Sequence, residues 1–386
     1  MKIAMIGQKG IPSQFGGVET HVAELSTRLA RSGHEVTAYG RSWYCDRGTV
    51  MFNGIEVKIL PSIHTKHLDA ISHTFLATLH ACLFLRPDVI HFHGVGPSLL
   101  AWLPKFLQPS AAVITTFHCL DREHDKWNWL AKFCLKLGER ASLRFGDTTI
   151  VTSKVLRDYV HEVYGQRAQY IPNGITPRRV TTDSVVLESF GLRSHQYIAM
   201  VARLVRHKGA HTLIQAWQLA KTLQPQVLKD MKLAIVGGSA FTDGYVKELK
   251  QLALNDPSIV FTDFQRGETL STLFSGARFM VHPSVAEGLP IAVLEAMSYG
   301  KAVLAADIPE NMEVVSEHGV AFKAGDVGDL ASKLIELAAD PMLAASIGHV
   351  AREFVETEYH WDDIGRSTLE VYGKHLTVSE GVLAIQ

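Results

Sequence analysis

The sequence predicts an α/β protein with two domains, each built on a parallel β-sheet whose strands are connected by helices. Its length of 386 residues exceeds what one hydrophobic core usually organises. Short apolar runs, rich in β-branched residues, alternate with longer stretches of helical periodicity. This alternation begins afresh after the segment 172–177, in which Pro, Asn and Gly favour a linker between two domains.

The strand candidates fall into two series, one on each side of that linker. Those of the first half are 3–6, 35–39, 55–60, 89–93, 112–117, 148–151 and 169–171. Those of the second half are 197–201, 232–236, 259–262, 279–282, 302–305 and 320–322. We therefore predict Rossmann-like domains at 1–175 and 176–360, and a C-terminal helix at 361–386 that could cross back to the first domain. If the two sheets face one another, the cleft at the carboxyl ends of their strands is the expected site.

Composition and charge exclude several classes of protein. Hydrophobic residues make up 47% of the chain and charged residues 20%, which is typical of a globular protein. The net charge of −1 offers no electrostatic basis for binding nucleic acid. The four cysteines lack C-x-x-C spacing and the first residues already form a strand pattern, so we expect a cytoplasmic protein. No apolar run reaches the roughly 18 residues of a membrane span, so membrane contact, if any, is expected to be peripheral, at the inner face of the cytoplasmic membrane.

A glycine-rich loop follows the first predicted strand. It contains Gly7 and Gly10, then Gly16 and Gly17, and it precedes a helix predicted from His21. Glycines let a ligand approach the backbone, and the amides at the start of a helix attract an anion such as phosphate. The spacing is not G-x-G-x-x-G, and ordinary turn chemistry explains the loop equally well.

A basic pair follows the first strand of the second half. Arg203 and Lys208 precede a predicted helix, and Gly209 comes directly after the lysine. A guanidinium binds phosphate oxygens in a planar bidentate manner, and an ammonium adds a mobile point charge. The pair could neutralise a departing diphosphate without a metal, while a solvated basic loop is the alternative.

Two glutamates enclose the most specific motif. Seven residues separate Glu287 from Glu295, and the first three of them are Gly288, Leu289 and Pro290. Glu287 is expected in a loop and Glu295 about one turn inside the following helix. Carboxylates accept hydrogen bonds from sugar hydroxyls, and the helix N-terminus offers amides to a diphosphate. Two surface acids on a capped helix are the alternative.

Taken together, these motifs resemble the large retaining glycosyltransferase family 4, whose GT-B fold consists of two facing Rossmann-like domains. The residues involved are Pro172-Asn173-Gly174, Arg203, Lys208-Gly209, His282-Pro283-Ser284 and the E-x7-E pattern from Glu287 to Glu295. The resemblance implies an acceptor-side N-terminal domain and a C-terminal domain that binds a nucleotide sugar.

The resemblance also implies residue roles. Arg203 and Lys208 would hold the donor diphosphate, and Glu287 would contact the transferred sugar. Glu295 would bind the nucleotide ribose. The donor site would further include Gly16, Gly17, Gly288, Leu289 and Pro290. The opening G-x-K-G-I-P…G-G-x-E is similar to a bacterial subgroup that includes rhamnosyltransferases of cell-surface polysaccharide synthesis. Rhamnose is therefore one candidate among the hexoses and deoxyhexoses, and a glycan or polyprenyl-linked molecule is the expected acceptor.

Four further polar residues lie near the predicted strands 89–93 and 112–117. His118 closes the second of these strands, and a histidine there is a feature of the resembled family that implies contact with the donor sugar. His91 and His93 share one strand face, and His93 is a candidate acceptor contact. Asp121 is a second acceptor-side candidate.

The expected mechanism uses no second carboxylate. A retaining glycosidase needs two flanking acids, but by resemblance Glu287 binds hydroxyls and is not placed to attack. The diphosphate would depart under Arg203, Lys208 and the helix dipole. The acceptor hydroxyl would enter on the same face and give its proton to the leaving phosphate. The predicted catalytic residues are His118, Arg203, Lys208 and Glu287, with no metal or other cofactor.

A basic helix is predicted from about 126 to 144. It carries Lys132, Lys136, Arg140 and Arg144 beside Trp127, Trp129 and Phe133. Such a stripe fits an anionic membrane surface, where a lipid-linked acceptor would be found. A solvated face over a packed helix explains it as well.

Other functions stay open at this point. A nucleotide-sugar epimerase or a phosphorylase would use the same fold. A nicotinamide-dependent dehydrogenase is disfavoured because neither half contains G-x-G-x-x-G followed by an acid about 20 positions later. A non-catalytic sugar-binding or scaffold protein is also disfavoured, because the chain contains the candidate catalytic and donor-binding residues Arg203, Lys208, Glu287 and Glu295.

Overall fold

The chain divides into two compact units. The computed structural model describes residues 1–14, 16–45, 51–65, 68–120, 122, 129–177 and 180–383, with side chains described up to 376. Unit 1 comprises residues 1–174 together with the C-terminal helix from Trp361, and unit 2 comprises Ile175–His360.

Unit 1 contains one sheet, formed by eight strands among the residues just given. They are β1 Lys2–Ile6, β2 Glu35–Arg41, β3 Met51–Phe52, β4 Ile55–Leu60, β5 Val89–His93, β6 Ala112–Phe117, β7 Thr148–Val151 and β8 Gln169–Tyr170. The spatial order is β3-β4-β2-β1-β5-β6-β7-β8, and all neighbours are parallel except β3 with β4. The order reverses between β1 and β5, which makes that junction the switch point where open α/β sheets bind ligands.

The helices of unit 1 lie in the connections between these strands. They are α1 Gly17–Arg31, α2 Asp69–His80, which continues as a π-helical turn over Ala81–Leu85, α3 Val95–Ser98, α4 Trp102–Leu107, α5 Trp129–Phe145 and α6 Lys154–Tyr164. Ser153 caps α6, since its Oγ accepts the amide hydrogen of Leu156, and Gly165 ends the helix in the left-handed region.

Unit 2 also contains one described sheet, with six parallel strands. They are β9 Tyr197–Val201, β10 Lys232–Val236, β11 Ile259–Asp263, β12 Met280–His282, β13 Val303–Ala306 and β14 Val320–Phe322. Their order is β11-β10-β9-β12-β13-β14, so the switch point lies between β9 and β12. Leu233 and Ile235 of β10 pack into one hydrophobic cluster, and Ala234 and Val236 pack into another. Successive residues of a strand point to opposite faces, so both faces of this sheet are covered.

Helices cover the sheet of unit 2. They are α7 Ser184–Ser189, α8 Ala210–Leu223, α9 Asp243–Leu252, α10 Gly267–Gly276, α11 Ile291–Ser298, α12 Pro309–Val315, α13 Val327–Ala339 and α14 Pro341–Glu358, and a 3₁₀ turn Arg206–Lys208 precedes α8. Aspartates cap three of them: Asp183, Asp326 and Asp340 each accept amide hydrogens of the first turn.

The last helix, α15 Trp361–Leu383, belongs to unit 1 and packs on α1. Trp361 and Tyr372 are buried in the same hydrophobic cluster as Leu25 of α1. Arg28 of α1 forms an ion pair with Asp362 at 2.9 Å. No single described helix is long and apolar enough to span a membrane. Only α13 and α14 taken together reach that length and hydropathy among the described helices, and they meet at a 98° bend.

The predicted fold class, two Rossmann-like domains with parallel sheets, is confirmed. Two local predictions were wrong. The first helix begins at Gly17 and not at His21, because Gly16, at a φ of 110°, takes the N-cap position. The two-residue strand β3 was missed, since it is too short to show periodicity.

Candidate active site

The site of unit 2 is built from two loops at its switch point. One loop follows β9 and contains Arg203 and Lys208, and the other follows β12 and contains Glu287. The two loops are in direct contact, because the amide of Val285 donates to the carbonyl of His207 at 2.9 Å. Gly209 permits this approach, since a Cβ at this position, whose φ is 74°, would lie 2.1 Å from the carbonyl oxygen of Pro283.

Glu287 lies between two donors. Its Oε1 accepts a hydrogen bond from Lys208 Nζ and lies 2.8 Å from His282 Nε2. The side chain of Glu287 is only 8% exposed and that of Lys208 16% exposed. Burial alone would raise the pKa of the Glu287 carboxyl, but the Lys208 charge and the His282 hydrogen bond hold it well below its usual value. Glu287 is therefore a fixed, ionised acceptor.

The surroundings of these residues restrain the loop after β12. His282 is the last residue of β12, and its Nδ1 is buried without a hydrogen-bond partner among the described residues. Asn311 Nδ2 on α12 donates to the carbonyls of Ser284 at 3.3 Å and Ala306 at 2.9 Å. The amide thus ties the loop to the end of β13.

The other predicted donor-side residues lie on the same two segments. Arg203 is exposed, five residues before Lys208. Gly288 is buried, Leu289 is buried in a hydrophobic cluster, and Pro290 is the N-cap of α11. Glu295 is half-buried in the middle of α11. Of the predicted set, the structure thus joins Lys208 to Glu287 directly.

The glycine-rich loop of unit 1 lies at the other switch point. Gly7 follows β1 at a φ of 121°, and a Cβ there would lie 2.5 Å from the carbonyl oxygen of His93. Gly16 precedes Gly17, the first residue of α1, and a Cβ on Gly16 would lie 2.0 Å from Glu19 Oε2. Glu19 is buried, and its Oε1 accepts the amide hydrogen of Lys9 at 3.1 Å. Sequence reasoning gave Glu19 no role, although an acid directly after two glycines at a helix start was the available signal.

A histidine cluster lies beside this loop. His93 Nδ1 and His118 Nε2 are 3.3 Å apart, and the His21 ring is centred 4.7 Å from that of His118. The rings of His91 and His93 are centred 4.0 Å apart, so these two residues do share one face of β5. Burial lowers the pKa of His21 to about 4 and holds the pKa of His91, His93 and His118 well below the usual value. The cluster is therefore uncharged at neutral pH.

Some predicted features lie outside the described residues. Asp121 is one of them, as are Lys126 and Trp127 of the predicted basic helix. The described part of that helix is α5, and Arg122, Lys132, Phe133 and Lys136 line a cavity of about 320 Å³ beside it. Sequence reasoning missed Arg122, which forms an ion pair with the buried carboxylate of Glu139, with Nε 3.1 Å from Oε1.

Comparison with known proteins identifies the class of this molecule. Residues 15–179 match the glycosyltransferase family 4 domain, and residues 189–354 match the domain of glycosyl transferases group 1. Together the two matches cover most of the chain. The two Rossmann-like units and these matches define an enzyme, a glycosyltransferase with the GT-B fold.

Full-length relatives agree with this class. The chain is 27% identical to alpha-maltose-1-phosphate synthase of Mycolicibacterium smegmatis, over 97% of this chain and 99% of that protein. It is 25% identical to an uncharacterized glycosyltransferase of Methanocaldococcus jannaschii, over 96% and 98%. The chain belongs to the group 1 glycosyltransferases that carry a family 4 domain.

Solved structures show the same fold. Sucrose-phosphate synthase from Thermosynechococcus elongatus superposes with a TM-score of 0.82 at 21% identity, covering 98% of this chain and 99% of that one. Anabaena HepE, in complex with UDP and glucose, superposes with a TM-score of 0.80 at 20% identity, covering 97% and 100%.

Proposed function

We propose that this enzyme transfers a hexose or deoxyhexose from a nucleoside-diphosphate sugar to a glycan or lipid-linked acceptor, with retention of configuration. The observation that most supports the proposal is the buried, ionised Glu287, which is bonded to Lys208 at the switch point of unit 2. Anabaena HepE is described with UDP-glucose, which supports a nucleotide sugar as donor.

On the donor side, Arg203 and Lys208 hold the diphosphate. Arg203 is exposed and can turn toward the phosphates, while Lys208 is held by Glu287. Glu287 accepts hydrogen bonds from the hydroxyls of the transferred sugar, and Glu295 binds the ribose. The segment Gly288-Leu289-Pro290 brings the start of α11 beside the phosphates. Gly16 and Gly17 are further proposed donor contacts.

The chemical step breaks the bond between the anomeric carbon and the leaving phosphate oxygen. The acceptor oxygen bonds the anomeric carbon on the same face, and its proton passes to the departing phosphate oxygen. Arg203 and Lys208 stabilise the charge that develops on that oxygen, each with about 3 kcal/mol. In this proposal His118 contacts the donor sugar, His93 and Asp121 are the candidate acceptor contacts, and transfer itself requires no metal.

The acceptor side supports a lipid-linked substrate and a location at the inner face of the cytoplasmic membrane. On α5, Trp129 is 78% exposed and Phe133 53% exposed, and the adjoining α4 exposes 74% of Phe106. Lys132 and Lys136 line the cavity beside Phe133. Exposed aromatic rings next to cations suit an interface with anionic headgroups. Together with the opening motif at Gly7–Glu19, this surface supports a role in bacterial envelope polysaccharide synthesis, with rhamnose as one candidate sugar.

A donor panel tests the function. The full chain is incubated with a set of nucleoside-diphosphate sugars, with and without polyprenyl-linked acceptors, and release of nucleoside diphosphate is measured. We expect nucleoside diphosphate to be released with one class of donor, and only when an acceptor is present. Turnover of the donor without any acceptor would instead indicate a nucleotide-sugar epimerase, and phosphate-dependent cleavage of a glycan would indicate a phosphorylase.

A further inference from the structure

We propose that His21, His93 and His118 form a site for a divalent transition-metal ion such as Zn²⁺, and that metal bound there inhibits sugar transfer. The first part of this proposal, that a metal ion binds, is argued from the geometry of the histidine cluster alone. The inhibitory half rests on the proposed function, because it assumes that His118 contacts the donor sugar.

The spacing of the ring nitrogens fits a metal ion. One ligand atom from each of the three histidines lies within 4.8 Å of the other two. His93 Nδ1 and His118 Nε2 are 3.3 Å apart. Zn–N bonds of about 2.0–2.1 Å at tetrahedral angles place neighbouring ligand nitrogens about 3.3–3.4 Å apart. Two ligands are therefore already at the required separation, and the third, from His21, lies within 4.8 Å of both.

A hydrogen bond orients the third ligand. His21 Nδ1 lies 2.9 Å from Asn173 Oδ1, and an amide oxygen can only accept, so Nδ1 carries the proton. The lone pair of His21 is then on Nε2. Histidines that bind zinc commonly donate their other ring hydrogen to an oxygen in this way. Asn173 is thus a positioning residue for the metal ligand.

The neighbouring histidine is not a ligand. His91 Nδ1 bonds the hydroxyl of Tyr372 at 2.7 Å, and its Nε2 bonds the hydroxyl of Thr116 at 2.7 Å. Both of its nitrogens are therefore occupied. His93 differs, because its Nε2 lies 3.4 Å from Met5 Sδ while its Nδ1 faces another of the proposed ligands, His118.

The elements that hold the ligands make the site rigid. His21 lies on α1, His93 ends β5 and His118 directly follows β6, and all three side chains are buried. Three nitrogen ligands without a carboxylate favour zinc, cobalt, nickel or copper over magnesium or calcium. A three-histidine set also leaves a fourth tetrahedral position for water. Once His118 Nε2 bonds a metal, that nitrogen cannot donate to or accept from a sugar hydroxyl.

Cobalt provides a test with a spectroscopic signature. The full chain, freed of metal with a chelator, is titrated with Co²⁺ and then with Zn²⁺. We expect one equivalent of Co²⁺ to give the intense visible bands of four-coordinate cobalt, and Zn²⁺ to remove them. Asn173→Ala should weaken metal binding by about ten- to a hundredfold, and His21→Ala, which removes a ligand, should weaken it more. His349→Ala, on an exposed histidine of α14, is the matched control and should leave binding unchanged.

Each outcome bears on one half of the proposal. Absence of stoichiometric Co²⁺ binding, or binding that is equal in the wild type, His21→Ala and Asn173→Ala, would overturn the site. Circular dichroism of the variants shows whether they fold, and Asn173→Ala, which keeps all three histidines, is the second variant. If Zn²⁺ binds but transfer by the wild type is unaffected, the inhibitory half is wrong. If the metal-free enzyme transfers no sugar with any donor, the proposed function fails while the Co²⁺ titration still decides the site.

Discussion

At the scale of single residues, Glu287 combines burial with a full negative charge. Removing the charge of one partner in a buried pair leaves the other uncompensated, which typically costs 3–5 kcal/mol. We predict that Glu287→Gln lowers the free energy of unfolding of unit 2 by about 3 kcal/mol, measured by urea denaturation at pH 7.5.

The matched control is Glu336→Gln. Glu336 bonds Lys333 at 2.8 Å on α13, but its side chain is 52% exposed, so the change should cost no more than about 0.5 kcal/mol. If both substitutions lowered the free energy of unfolding equally, the buried Glu287 ion pair would contribute no more stability than the exposed Glu336 pair.

The same glutamate predicts a pH dependence. Its pKa in the folded protein is depressed below the usual value of 4.5, so the folded state binds fewer protons than the unfolded state. The stabilisation from Glu287 is therefore complete above about pH 4.5 and is lost as the pH falls through the folded pKa. The stability difference between wild type and Glu287→Gln should shrink in acid. A difference that stays constant between pH 7 and pH 3 would contradict this.

The buried histidines predict a second, earlier loss of stability. Each has a folded pKa below the usual 6.5, and that of His21 is about 4. As the pH falls below 6.5 the unfolded chain takes up protons that the folded chain does not. The stability of unit 1 therefore decreases by up to about 1.4 kcal/mol per pH unit for each histidine. Hydrogen exchange of unit 1 peptides at pH 7.5, 6.5 and 5.5 measures this slope.

His91→Gln is the informative variant for that slope. It removes one of the four imidazoles of this cluster and should reduce the slope by up to about 1.4 kcal/mol per pH unit. His349→Gln, at an exposed position, should leave it unchanged. An unchanged slope in His91→Gln would contradict the assignment of acid sensitivity to this cluster.

At the scale of elements, α5 offers the clearest prediction. Its exposed aromatic rings and the lysines of the adjoining cavity are expected to hold the protein on anionic vesicles. Lys132→Glu with Lys136→Glu should reduce sedimentation with phosphatidylglycerol vesicles at least tenfold. Lys250→Glu with Lys333→Glu, which changes the charge equally on α9 and α13 of unit 2, is the control. Equal loss in both double variants, or binding that is independent of lipid charge, would contradict a membrane role for α5.

The elements differed in how well the sequence predicted them. The buried strands β5 and β6 were predictable because both faces of a parallel sheet are covered, which favours short runs dominated by apolar and β-branched residues. The start of α1 was not, since Gly16 caps the helix through a positive φ that no side-chain pattern displays. Hydrophobic periodicity indicates which residues are buried. It does not show where a helix starts when the cap is made by the backbone alone.

At the scale of the whole molecule, the site depends on strand order. Lys208 and Glu287 are 79 positions apart, and they meet because β9 and β12 are neighbours although two strands lie between them in sequence. The motifs around both residues were recognisable in the sequence, whereas the ion pair was not. The His21, His93 and His118 cluster likewise requires α1, β5 and β6 to come together, and His21 alone gives no signal.

The role of Lys208 in sugar transfer is tested most directly by acceptor-dependent transfer with Lys208→Ala, compared with wild type and with Lys333→Ala. With the donor found in the panel, we predict that Lys208→Ala lowers kcat/KM about 100-fold or more, since a lost contact to the leaving phosphate costs about 3 kcal/mol. Lys333→Ala should keep wild-type activity, all three proteins should melt cooperatively, and NMR of the product should show the anomeric configuration of the donor. Unaltered turnover in a folded Lys208→Ala, or a product of inverted anomeric configuration, would contradict the proposed function.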